Sequence, residues 1–343
     1  MNTRFVDLLN ERPYLLADGA TGTNYFNMGL VSGDAPELWN IDHPDRVASL
    51  HRSFLDAGSD IILTNTFGGS RYRLKLHNAQ DRVHELNVAA AHISRQEADK
   101  EERPVIVAGS MGPTGELFEP VGELTFEEGK SAFAEQAAAL AEGGVDVLWL
   151  ETLSSIEELE AAVAGAATVE LPMVSTLSFD TNGSTMMGIT PVTLANICSQ
   201  LTPAPVAYGT NCGVGPSEVA AAIIQIHADR AESILIAKAN CGIPEFKDGA
   251  IRYSGTPELM ADYACIVRDA GARIIGGCCG TTSEHVRRMR EALDTTPSEP
   301  KPDIAMVEAR LGQVTDGARS LCLHDVLEQA QPRRKNRRQR RVN

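Results

Sequence analysis

Eight short apolar runs recur between residues 14 and 275, at 14–17, 61–63, 105–108, 145–150, 172–176, 205–208, 233–237 and 273–275. Each is too short for a helix and apolar on both faces, and most are separated by Ala- or Glu-rich segments with helical periodicity. That combination marks buried parallel strands covered by helices. Eight such units predict an α/β fold closed into a (β/α)8 TIM barrel, with residues 1–294 as the barrel and 295–343 as a linker, a partly helical extension and a basic tail.

Several helices are legible directly. In 126–142, Phe133, Ala137, Leu140 and Ala141 share one face, and 156–167 follows the same period. The segment 257–270 opens on Pro257 and stops before Gly271, and 283–293 follows a cap at Thr282 or Ser283. The first interval is the longest. Its residues 19–44 form a long loop where such barrels build active sites, so a lid over a ligand is expected there.

Small and polar residues cluster where each run ends: Asp18-Gly19, Asn65-Thr66-Phe67, Gly109-Ser110, Glu151-Thr152, Asn211-Cys212, Asn240-Cys241 and Cys278-Cys279. In a barrel all of them reach the same C-terminal mouth. The adjacent thiols Cys278 and Cys279, flanked by Gly276, Gly277 and Gly280, can both turn inward only because those glycines free the backbone. With Cys212 they make a three-thiolate zinc site with one open position. The bland alternative is that they are small core residues, but burial alone does not place three thiols beside glycine-rich strand ends.

A fourth thiol, Cys241, would close the coordination sphere and make the ion structural if it approached; the favoured set is Cys212, Cys278 and Cys279. Cys198 and Cys265 sit on predicted helix cores. A thiolate-rich zinc favours activating a bound thiol over making hydroxide, so thiol alkylation fits better than hydrolysis. Asp18 and Glu151 are placed to hold the ammonium of a small ligand, with helix capping or loop bonding as their structural alternative. No glycine loop matches a nucleotide-binding pattern.

These residues resemble the homocysteine S-methyltransferase family, which includes betaine–homocysteine methyltransferases and the homocysteine-binding module of cobalamin-dependent methionine synthase. The resemblance covers about residues 10–293 and rests on 18–23, 64–67, Glu151-Thr152, 211–213 and 276–280. It implies that Cys212, Cys278 and Cys279 bind Zn2+ and that Asp18, Gly19, Thr66, Phe67 and Glu151 hold L-homocysteine. The homocysteine sulfur then takes a methyl group by direct displacement to give L-methionine.

A quaternary ammonium donor wants aromatic faces and a carboxylate, and Tyr25, Phe26, Trp39, Phe67 and Tyr72 are the candidates, Phe26 and Trp39 being equally readable as packing residues. Animal betaine enzymes carry an aromatic residue where this chain has Thr152. Residues 28–40 and 240–246, however, look like those of bacterial proteins of the betaine group. Glycine betaine is therefore the expected donor and dimethylglycine the coproduct. The alternatives are a methylated corrinoid protein as separate partner, a sulfonium donor such as S-methylmethionine, or a nonenzymatic zinc-stabilised module. A lysine- or histidine-based aldolase or hydrolase lacks its residues at the mouth.

The formal charge of -15 conceals a basic stretch at 333–341 with seven Lys or Arg, leaving about -22 on the remainder. Such an acidic body argues against nucleic-acid binding, and the tail is readable as disordered or as a contact for an anionic partner. Seven irregularly spaced cysteines do not make a disulfide scaffold, and with no long apolar region near residue 1 and no 18-residue apolar stretch, neither export nor membrane spanning is expected. A cytoplasmic enzyme is expected, and residues 304–330 read as a partly amphipathic segment that either packs on the barrel or contacts another subunit in a homo-oligomer.

Overall fold

The computed structural model describes residues 3–247 and 250–322. The strands are β1 (Leu15–Leu16), β2 (Ile61–Leu63), β3 (Ile106–Met111), β4 (Val147–Leu153), β5 (Met173–Leu177), β6 (Ala207–Cys212), β7 (Leu235–Ala239), β8 (Pro244–Lys247), β9 (Ala250–Tyr253) and β10 (Ala272–Gly277). Eight of them form one parallel sheet in the order β1-β10-β7-β6-β5-β4-β3-β2. A parallel bridge between Ala17 and Ile61 brings the two edges together, and Asp60 N–H donates to Leu16 O at 2.6 Å. The eight expected runs are thus the staves of a (β/α)8 barrel.

Strand alternation sorts the core into two layers. Leu15, Ala17, Ile61, Leu63, Ile106, Ala108, Val147, Trp149, Val174, Ala207, Ile236 and Ile274 fill the barrel interior. Their neighbours Leu16, Ile62, Val107, Leu148, Leu150 and Ile275 face outward under the helices. Both faces are dry, which is why the runs carry no polar alternation.

The interior is stoppered from below by an element the periodicity did not announce. Helix Arg4–Glu11 turns Phe5, Leu8 and Leu9 into the same interior cluster. The helix ends follow local chemistry. Thr125 and Glu128 form a reciprocal capping box at the start of Phe126–Glu142. Thr256 caps Pro257–Ala270, which stops at Gly271 with φ of 114°. Thr282, rather than Ser283, caps Ser283–Thr295.

The extension after the barrel packs on it. Helix Ile304–Leu311 lies against helices Pro216–Asp229 and Pro257–Ala270, with Val307 fully buried. Ser217 Oγ donates to Gln313 O, and Thr315 N–H donates to Glu218 Oε1 at 2.5 Å. The basic stretch at 333–341 lies outside the described residues. No helix among the described residues is long and apolar enough to cross a membrane.

Candidate metal and substrate site

β6 ends in two consecutive left-handed residues, Cys212 (φ 63°) and Gly213 (φ 68°), and Thr152 at the end of β4 is also left-handed (φ 64°). Non-glycine residues occupy that region at a cost of about 1–3 kcal/mol and need surrounding structure to hold them there. Asn211 supplies it. Thr152 N–H donates to Asn211 Oδ1 at 3.0 Å, and Asn211 Nδ2 donates to Thr152 Oγ1 at 2.7 Å. The same Nδ2 lies 3.8 Å from Cys278 Sγ.

The second cysteine segment follows β10. Cys278 N–H donates to Ala239 O at 2.6 Å and Cys279 N–H to Asn240 Oδ1 at 3.0 Å. Asn240 Nδ2 reaches Gly213 O at 2.7 Å, so one side chain ties both cysteine-bearing turns together. Gly280 has φ of 79°, and a Cβ there would sit 2.4 Å from the Tyr253 ring, which packs directly over the turn.

These turns bring the sulfurs of Cys212, Cys278 and Cys279 within 4.8 Å of one another, with Cys212 and Cys279 3.8 Å apart. A tetrahedral zinc centre with bonds of about 2.3 Å places its sulfurs about 3.8 Å apart, so the donor set and its spacing both suit the ion. Hydrogen bonds from the Cys212 and Cys278 thiols hold Cys279 well below the usual thiol range, and the bonds of Cys212 to Cys278 and Cys279 push Cys212 up. Cys241 is turned elsewhere: its Sγ donates a hydrogen bond to Gly255 O at 3.0 Å, and it is buried in the core.

All three cysteines open onto a cavity of about 570 Å³ at the barrel mouth. The first interval does wall it, through 19–23, Phe26, Gly33, Asp34, Pro36 and Glu37. Gly19, Thr66, Phe67 and Glu151 line it as well. Thr66 Oγ1 donates to Ser110 O at 2.6 Å, and Ser110 Oγ donates to Glu151 Oε1 at 2.5 Å. Burial, chiefly, pushes the Glu151 carboxyl up to about 7, against the opposing field of Lys238.

Asp18 lies beneath this wall with its carboxylate already engaged. Leu63 N–H donates to Oδ2 at 2.7 Å and Lys238 Nζ to Oδ1 at 2.9 Å. Lys238 had no partner visible in the sequence, because Asp18 is 220 residues away. Burial works against its ammonium, but the Asp18 and Glu151 carboxylates outweigh that and hold its pKa above the ordinary lysine value.

The aromatic candidates divide. Phe26 and Phe67 line the cavity, and both rings are partly exposed. Tyr25 and Trp39 pack on each other at 5.2 Å in the core, with the Arg46 guanidinium over the indole. Tyr72 packs against Phe118, Leu124 and Ala161. None of these last three lines the cavity, because their apolar surface is spent on packing. Lining residues that escaped sequence reasoning include Tyr253, Arg73, His77 and Lys238. Tyr253 arrives on the β8–β9 hairpin, whose position over Cys279 has no local signature. Glu37 also lines it and stands in the stretch 28–40, where the sequence offers a likeness and no role for this residue.

The geometry agrees with what comparison finds. A family model described as homocysteine S-methyltransferase matches residues 15–293. The methionine synthase of Mycobacterium tuberculosis is 29% identical over 314 residues, covering 85% of this chain and 25% of that protein. That of Mycobacterium leprae is 28% identical over 311 residues with the same coverage. The chain thus spans about a quarter of the length of these curated relatives. The homocysteine methyltransferase MmuM from Escherichia coli, in its metallated form, superposes with a TM-score of 0.69 at 22% identity, over 84% of this chain and 99% of that one. At that identity the likeness speaks for the fold.

Proposed function

The chain belongs to the homocysteine S-methyltransferase family, and from that premise we propose that it methylates the thiol of L-homocysteine, with glycine betaine as donor, to give L-methionine and dimethylglycine. The observation that carries this reading is the convergence of three thiols on the wall of one cavity, with an uncovered side facing the cavity. Cys212, Cys278 and Cys279 would hold Zn2+. The chemistry such an ion supplies when bound is to ionise a thiol at neutral pH while leaving its sulfur nucleophilic.

The chain's own residues do the rest by positioning. Glu151, fixed by Ser110, together with Gly19 and Thr66, is placed to hold the amino-acid end of homocysteine, while Asp18 and Lys238 set the charge beneath it. Phe26 and Phe67 offer ring faces to a trimethylammonium group, where cation–π attraction favours the charge and leaves a methyl free for attack. The homocysteine thiol loses its proton, a sulfur–carbon bond forms, and the carbon–nitrogen bond breaks with its electron pair left on nitrogen. Both reactants held in one cavity make the displacement effectively unimolecular.

The test is mass-spectrometric detection of methionine and dimethylglycine from homocysteine and methyl-labelled glycine betaine. Reduced, zinc-loaded protein is used without corrinoid, beside a zinc-free control. Matched, zinc-dependent appearance of both products supports the reading. No transfer by folded, zinc-loaded protein moves the donor to a corrinoid protein or a sulfonium compound.

A further inference from the structure

The cavity has a second pole that the thiol chemistry does not use. Counted around the closed barrel, β2 is four strands from β6 and therefore faces it across the mouth. The segment after β2 carries Phe67 and then the short helix Arg71–Lys75, from which Arg73 and, just beyond it, His77 reach the cavity. Glu37 comes to the same pole from the first interval. It is buried, and its Oε1 accepts from Gly68 N–H at 2.6 Å.

Arg73 is unusual among the arginines of this chain. Its guanidinium pairs with no carboxylate among the described residues, although most other arginines are engaged in ion pairs. It is neither splayed into solvent nor committed to Glu37. It lies over the loop after β3, where a Cβ on Gly115 would stand 3.1 Å from one of its terminal nitrogens. Burial, chiefly, pushes the Glu37 carboxyl up, against its hydrogen bond from the Gly68 backbone and the field of Arg73. This pole of the cavity thus presents an uncommitted guanidinium, a buried carboxylate and the partly exposed Phe67 ring, and Phe26 lines the same cavity.

We propose that Arg73 is the anchor for the carboxylate of the methyl donor, and that with Glu37 it restricts the donor to a small zwitterion whose cationic, methyl-bearing end lies against Phe26 and Phe67. The inference rests on the donor reading above and adds the group that sets its specificity. An uncommitted guanidinium is suited to the task because its planar fork matches a carboxylate with two parallel hydrogen bonds. The buried Glu37 carboxylate meets the opposite charge of the same ligand, so a zwitterion satisfies both residues while a simple cation leaves Arg73 unpaired. Because this pole lies across the barrel mouth from Cys212, a donor held by its carboxylate at Arg73 has the thiols on the far side of the same cavity.

The experiment compares wild type with Arg73→Gln and Arg73→Lys, using steady-state kinetics with glycine betaine and with choline, which keeps the trimethylammonium and lacks the carboxylate. Calorimetric binding of dimethylglycine gives a readout independent of turnover. Loss of a charge-assisted pair predicts a roughly 10- to 100-fold higher KM for glycine betaine in Arg73→Gln. The homocysteine KM stays unchanged, dimethylglycine binding weakens in parallel, the preference for betaine over choline shrinks, and Arg73→Lys recovers part of each effect. Unchanged betaine KM and unchanged preference in an active Arg73→Gln protein overturn the anchor while leaving the donor reading intact. A rise confined to the homocysteine KM assigns Arg73 to the other substrate and overturns it too. A wild-type protein that neither binds nor uses glycine betaine removes the donor reading, and the anchor falls with it.

Discussion

Lys238 Nζ lies 2.9 Å from Asp18 Oδ1, and both side chains are almost wholly buried, Lys238 in the cavity wall and Asp18 behind it. Lys238 belongs to β7 and Asp18 stands two residues after β1, with β10 between the two strands. Such a pair adds little net stability over an apolar substitute, but breaking it strands a charge in a dry interior. Its value here is positional: it fixes a cation below Glu151 at the centre of the barrel.

Replacing Lys238 by Met therefore destabilises the fold by about 3–5 kcal/mol, since Asp18 is left without its counter-ion. The double substitution Asp18→Asn with Lys238→Met recovers much of that loss. Urea denaturation of the single and double variants checks this, and equal destabilisation in both would show that the charge pairing is not what matters.

Cys212→Ala, Cys278→Ala and Cys279→Ala each remove one of three converging sulfurs. Bound zinc per chain and methyl transfer should fall together, by more than the roughly 10- to 100-fold typical of losing an outer-shell partner. Cys241→Ala should keep full zinc content, because its thiol is hydrogen-bonded to Gly255 O. Metal analysis after dialysis reads both results; retained zinc in Cys278→Ala would remove it from the ligand set.

Asn240 touches no thiol, yet it joins the Cys279 N–H to the Gly213 carbonyl. Asn240→Ala should loosen both turns and weaken zinc binding about 10- to 100-fold with little change in overall fold. Competition with a chromophoric chelator measures the affinity. An unchanged constant would mean that the backbone holds the cysteines without this bridge.

Burial lowers the pKa of His51 from 6.5 to about 4, against the opposing fields of Asp18 and Glu97, and its Nε2 lies 3.0 Å from Ser94 Oγ. The unfolded chain binds this proton below about pH 6.5, whereas the folded one refuses it until about pH 4. This contribution to stability is thus complete above that window and is lost as pH falls through it, on the order of 3 kcal/mol in all. His51→Gln should flatten the acid side of a stability–pH curve between those limits, and an unaltered slope would contradict the assignment.

The sequence by itself determined the barrel and the sulfur cluster, because both leave local marks. Strands buried on two faces need short apolar runs, as at Ile61–Leu63, and paired cysteines can turn inward only beside residues like Gly277 and Gly280. Glu151, Thr66 and Phe67 were legible for the same reason, since parallel strands deliver their C-terminal ends to one mouth. What no local pattern encodes is which side chains meet once the barrel closes. The pairing of Lys238 with Asp18, the Asn211 clasp on Thr152, the Tyr253 ring over Gly280 and the presence of Arg73 and Glu37 on the wall of one cavity depend on strand order and loop packing between distant segments. The withdrawal of Tyr25, Trp39 and Tyr72 into packing has the same origin. An aromatic side chain near a loop reads alike whether it faces ligand or core, and only the packed structure decides which surface it covers.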